Sequence, residues 1–173
     1  MLLSTGALAQ SADGVSAEVP SEELMQPTEE EIIVSAMEIY SWFTISPLDV
    51  DYELAGDDGS VYRVADEVLC REDALMGMVA LTFAPVVIED MLSYQVYTVI
   101  DGMLYTVPGG RGMDENIEWV EYQESYADEQ KIIYTVTVHY FGEKDWDIGP
   151  DVFEFVREYQ DGLWLFTEFP FFW

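Results

Sequence analysis

Asp161-Gly162-Leu163-Trp164-Leu165-Phe166 and, earlier in the chain, Asp101-Gly102-Met103-Leu104-Tyr105 are the stretches that decide the fold. In each, an Asp-Gly pair stands between two runs of alternating apolar character. A two-residue type I′ turn needs positive φ at both central positions, which Asp and Gly tolerate, so each pair marks a β-hairpin. Working outward, Tyr94 to Ile100 and Met103 to Val107 form one hairpin, and Val152 to Tyr159 with Leu163 to Phe169 form another. Ile117 to Gln123 and Ile132 to Phe141 read as strands between them. In Ile132 to Phe141, residues Tyr134, Val136, Val138 and Tyr140 share one face, and Thr135, Thr137 and His139 share the other.

The N-terminal half has a different period. Pro27 and Thr28 precede Glu29-Glu30-Glu31, so Thr28 is an N-cap and Glu31 completes a capping box. Ile32, Ala36, Ile39 and Phe43 fall at helical spacing, widened by Ile33, Met37 and Tyr40, which predicts a helix from Thr28 to about Thr44. Pro47 ends it. Leu48 to Gly59, with Asp49, Asp51, Asp57 and Asp58, is expected to be a loop, and Ser60 to Val64 a short strand. A second helix starts near Glu72 and Asp73, with Leu75, Val79, Leu81 and Phe83 able to pack. Pro85 interrupts it before a short helix from Val86 to Leu92. Helices first and antiparallel strands after give an α+β fold, with helices on one face of a curved sheet.

The chain has 173 residues, half of them hydrophobic and 14% aromatic, so it can bury a sizeable core. Thirty-five acids face six bases, a formal charge of −29. With so many aromatic residues this is a coated globule rather than a disordered acidic tail. Such a surface repels nucleic acids and anionic lipid headgroups, and it favours a basic protein, a cation or simple solubility. No stretch is long enough to span a membrane. Met1 to Gln10 reads either as the end of a signal peptide with an Ala-x-Ala site or as a chance apolar opening. We adopt the first, with residues 1–27 as a signal-peptide remnant and polar linker and 28–173 as one domain.

Chemistry-bearing motifs are sparse. Cys70 stands alone and excludes an internal disulfide; a small buried apolar role at a strand-to-helix junction is favoured over a nucleophile served by His139, the single histidine. Asp145-Trp146-Asp147-Ile148-Gly149 lacks the Glu that closes a calcium loop, position 156 being Val, and reads as a turn. The Asp49, Asp51, Asp57 and Asp58 segment offers carboxylates for a hard cation, as any acidic loop does. Gly109-Gly110-Arg111-Gly112 lacks the Lys and the helix of a phosphate cradle; Arg111 is expected to pair with a carboxylate and pin the loop. No pair of carboxylates stands out for acid/base work, and no cofactor or metal is implied. Trp119, Tyr122, Tyr134, Tyr140 and Trp164 could line a pocket at the mouth of the sheet, although plain core accounts for most of them.

The run Tyr62-Arg63-Val64, Leu81-Thr82-Phe83, Asp101 to Tyr105, Arg111-Gly112, Phe153-Glu154-Phe155-Val156 and Asp161 to Phe169 resembles the IseA-type DL-endopeptidase inhibitors of Gram-positive envelopes. The resemblance covers Thr28 to the C-terminus and rests on turn and core signatures. It implies a cystatin-like cone, a long helix lying in a curved sheet, in an extracellular or envelope protein. It also implies a non-catalytic role: docking on the catalytic domain of peptidoglycan-cleaving endopeptidases and blocking them. Many cone domains instead bind small ligands, and fold analogy alone does not choose between the two roles. The partner-binding patch expected from loop position and polarity comprises Asp57, Asp58, Arg111, Asp114 and Glu115.

Overall fold

The computed structural model describes residues 27–110, 112, 114–142 and 149–172. Among them the chain forms helix α1 (Glu29–Thr44), strands β1 (Val50–Ala55) and β2 (Tyr62–Val64), helices α2 (Glu72–Thr82) and α3 (Pro85–Ser93), and six further strands. These are β3 (Tyr97–Ile100), β4 (Met103–Thr106), β5 (Ile117–Ala127), β6 (Lys131–Tyr140), β7 (Asp151–Gln160) and β8 (Leu163–Glu168). The fold is α+β, with antiparallel sheets that do not close.

The capping box of α1 is formed as its sequence predicts. The Glu31 N–H donates to the Thr28 hydroxyl at 3.2 Å, and the Thr28 N–H donates to the Glu31 carboxylate at 2.8 Å. Ile33, Ala36, Ile39, Tyr40 and Phe43 are buried, while Ile32 and Met37 lie at the margin. The inward face is thus rotated slightly from the primary stripe toward the widening one. In α2, Leu75 and Val79 are buried and Phe83 continues their four-residue spacing, but Leu81 is 63% exposed. Its place falls off that spacing, which corrects the expectation that it packs. Pro85 opens α3 at its first turn, where a missing N–H costs nothing.

Both Asp-Gly pairs adopt the left-handed conformation that a type I′ turn requires. Asp101 and Gly102 have φ of 51° and 75°, and Asp161 and Gly162 have φ of 50° and 90°. Ile100 pairs with Met103 and Gln160 with Leu163 across two-residue turns.

The strands divide into two four-stranded sheets, β1-β2-β4-β3 and β5-β6-β7-β8, where the sequence suggested one continuous sheet. Strand β4 has β3 on one side and β2 on the other, so β5 does not follow it in the first sheet and pairs with β6 instead. The eighth strand needed for this arrangement is β1, within the segment expected to be a loop. Val50, Tyr52 and Leu54 alternate with acids there, but β1 is an edge strand with mostly exposed residues and an irregular register against β2. Its acid content is what an exposed edge tolerates and what disguises it as a loop.

One core joins the helices and both sheets. It runs from Ile33, Tyr40 and Phe43 of α1 through Val64 and Leu104 of the first sheet to Tyr134, Val136, Phe155 and Phe166 of the second. Phe83, Phe155, Phe166 and Phe169 form its aromatic centre, with Phe155 and Phe169 stacked at 4.0 Å. The Ala84 N–H donates to the Phe166 carbonyl at 2.9 Å, which fastens the α2–α3 junction to β8.

Candidate functional site

The β1–β2 turn is locally closed. The Gly56 N–H donates to the Val61 carbonyl at 2.8 Å, and the Gly59 N–H to the Gly56 carbonyl at 2.9 Å. Asp58 accepts from the Ser60 hydroxyl at 2.7 Å and the Ser60 N–H at 2.9 Å. These bonds hold its carboxyl below the usual aspartate range, so it stays charged. Asp57 beside it is exposed.

Register brings the end of β4 to this end of the first sheet, before the chain turns back toward the residues that lead into β1. Tyr62, which follows this turn, pairs antiparallel with Thr106, the last residue of β4. The chain leaving β4 therefore exits where the Asp57-Asp58 turn sits. Pro108, Gly109 and Gly110 then face Ser46 to Val50 across an open polar cavity of about 340 Å³. Gly110 is held there by close approach: a Cβ would stand 2.6 Å from the Ile45 carbonyl oxygen. Asp114 is exposed and accepts from the Asn116 N–H at 2.9 Å and its amide at 2.7 Å, which shapes the entry to β5. Glu115 is exposed next to it. Arg111 lies outside the described residues. Among the described residues no hydrogen bond or ion pair joins Asp57 or Asp58 to Asp114 or Glu115, so each pair belongs to its own turn. The bases Arg71, Lys131 and Arg157 are paired elsewhere, with Asp73, Glu158 and Glu29.

The aromatic residues weighed as a pocket mouth, with plain core favoured for most, divide between the two faces of the sheet. Trp119 lies opposite His139 in the β5–β6 register and stacks on it at 3.8 Å and 5°, on the face away from the core. Tyr134 is on the core face and buried. Tyr122 donates to Glu30 at 3.4 Å, and Tyr140 to Asp151 at 2.8 Å. Trp164 lines a cavity of about 250 Å³ between α1, α2 and the β7–β8 hairpin; Ile32, Arg157 and Phe166 line it as well.

That cavity adjoins a cluster that sequence reasoning missed. Arg157 is 9% exposed and lies over the rings of Phe166 and Trp164, at 5.4 and 5.9 Å. One guanidinium nitrogen reaches both Glu29 and the Tyr134 oxygen at 3.4 Å, and the Tyr134 hydroxyl donates to the same Glu29 oxygen. Burial, reinforced by Glu29, pushes the Tyr134 hydroxyl up to about 12. The signal was present in the sequence. Alternation places Arg157 on the face of Phe153 and Phe155, so it enters the core and needs an acid. Its Nε is buried with no acceptor. The cluster fastens α1 to the second sheet.

Cys70 and His139 are attached to different sheets. Cys70 is buried, its thiol faces the Glu67 carbonyl at 3.5 Å, and its own carbonyl accepts from the Leu104 N–H of β4 at 2.7 Å. His139 belongs to β6, with Nε2 at 3.8 Å from Glu121. Among the described residues no three His, Cys, Asp or Glu side chains converge as a metal site, and Asp145 and Asp147 lie outside those residues. No described helix is long and apolar enough to cross a membrane. The sequence matches no protein-family model and no curated protein.

Proposed function

We propose that this is an exported, non-catalytic protein of the cell envelope. It docks on the catalytic domain of a basic peptidoglycan DL-endopeptidase and blocks it, the role implied by the IseA-type resemblance. The supporting observation is electrostatic. Asp57 and Asp58 in one turn, and Asp114 and Glu115 in another, are exposed, and none of the ion pairs of the described residues is spent on them. In a chain of net charge −29 these carboxylates add to a field that steers a basic partner inward.

The test is association kinetics with purified cell-wall endopeptidases. The Debye length falls from about 30 Å at 0.01 M salt to about 8 Å at 0.15 M, so association slows as salt rises. The double substitution Asp57→Lys, Asp58→Lys slows association more than it speeds dissociation. An endopeptidase whose association rate ignores both salt and these charges refutes the electrostatic mechanism. A second reading, a small-ligand-binding domain, has its place in the cavity beside Arg157 and Trp164. It takes over if no hydrolase binds and a ligand is found there.

A further inference from the structure

The cavity between α1, α2 and the β7–β8 hairpin combines a reachable apolar wall with an unspent hydrogen-bond donor. Ile32 of α1 and Trp164 of β8 are half-buried and Leu81 of α2 is 63% exposed, so each presents surface to the space of about 250 Å³ that they line. Register puts Arg157, Trp164 and Phe166 on one face of the second sheet, the face on which Arg157 meets Glu29 of α1. Arg157 is the only cationic side chain among the described residues that line the cavity. Both of its hydrogen bonds use Nη1 and are long, 3.4 Å to Glu29 and to the Tyr134 oxygen. Nε is enclosed without an acceptor, whereas Nη2 is not enclosed and makes no hydrogen bond among the described residues. The guanidinium thus has more donors than the protein answers, and Nη2 is the one open to an occupant.

This lining discriminates among occupants. An anion would meet Glu31 in the lining and Glu29 already beside Arg157, in a chain of net charge −29. A cation would face the guanidinium and leave its donors unanswered. A hydrocarbon would strip water from Nη2 with nothing in exchange. An uncharged molecule with a flat apolar body and a carbonyl oxygen meets each demand: the oxygen accepts from Arg157, and the body lies against Trp164, Ile32 and Leu81. A cavity of about 150 Å³ holds benzene, so a ring bearing an amide fits this larger one. We propose that this cavity binds a small uncharged aromatic ligand that carries a carbonyl oxygen. The site gives the exposed Leu81 a function at the end of α2. It supplies a ligand class for the ligand-binding reading and needs no endopeptidase partner.

The probe is benzamide, titrated into the intact chain by calorimetry, with benzoate and benzylamine as charged analogues of nearly the same shape. Benzamide should saturate one site in the millimolar range, and each charged analogue should bind at least about tenfold more weakly. Leu81→Asn, at an exposed position where folding is little affected, should weaken benzamide about fivefold, whereas Val107→Asn, similarly exposed beyond β4, leaves it unchanged. Arg157→Met should weaken it about tenfold, and Leu81→Asn carries the test if that variant does not fold. No saturable binding, a tighter fit for benzoate or benzylamine, or equal losses from Leu81→Asn and Val107→Asn would overturn the site. Endopeptidase docking is read in a separate experiment, so each proposal fails on its own result.

Discussion

Arg157 carries a full charge into the interior, and its surroundings set what each neighbour is worth. Removing Glu29 leaves the guanidinium with the Tyr134 oxygen and two ring faces, whereas removing Arg157 leaves Glu29 with the Tyr134 hydroxyl and water. Stranding the more buried partner costs more. Glu29→Ala should therefore lower stability by on the order of 1–3 kcal/mol, and Arg157→Met, which keeps the stem packed, by less. Urea denaturation of both variants decides it, and the reverse order would mean that the pair does not hold α1 down. Phe43 is a simpler case. It is 2% exposed and packs edge-on against Tyr97 at 5.4 Å. Phe43→Ala should cost about 3–5 kcal/mol, and an unchanged denaturation midpoint would remove Phe43 from the core.

At the scale of elements, the hairpins depend on backbone conformation more than on side-chain contacts. Gly162 has φ of 90° and open space where a Cβ would go, so Gly162→Ala meets no clash and measures conformational strain alone. The expected loss is about 1–2 kcal/mol, read by thermal denaturation, whereas Gly149→Ala, with ordinary φ and equal space, should be near neutral. These turns were legible in the sequence because their requirement is local: two adjacent residues must reach positive φ. The α1 cap was legible for the same reason, being satisfied within four residues. Strand β1 was not legible, because an edge strand facing water carries the composition of a loop and becomes a strand only when β2 offers a partner. The aromatic residues weighed as a pocket mouth divide by sidedness. Trp119 and Tyr122 take opposite faces of β5, which a count of aromatic residues does not register.

For the whole molecule, buried tyrosines give stability a dependence on alkaline pH. Burial pushes Tyr97 up to about 12; Tyr134 rises as far through burial and Glu29, and Tyr40 is raised by burial with Asp90 beside its hydroxyl. In the unfolded chain these groups lose their protons near 10.0. Above that pH the folded state holds more protons than the unfolded one, so stability falls as pH rises. Their contribution is complete below about pH 10 and is lost as pH climbs toward 12. Denaturation midpoints measured across that range should decline with tyrosine ionisation, and a flat profile would show that these hydroxyls are not enclosed.

The sequence by itself determined the α+β class, the capped first helix, both Asp-Gly hairpins and the acidic coat. Periodicity, capping and turn chemistry each act over a few neighbouring residues, and net charge needs no fold to be counted. Tertiary structure alone decided that the strands form two sheets, since strand pairing is settled between segments far apart in the chain. It also decided that Arg157 meets Glu29 and Tyr134, residues far apart along the chain. In the same way it left Asp57 and Asp58 in a different turn from Asp114 and Glu115. The physical reason is the range of the forces involved: local conformational preferences are written residue by residue, whereas pairing, burial and charge neutralisation are settled between segments that meet only once the core has closed.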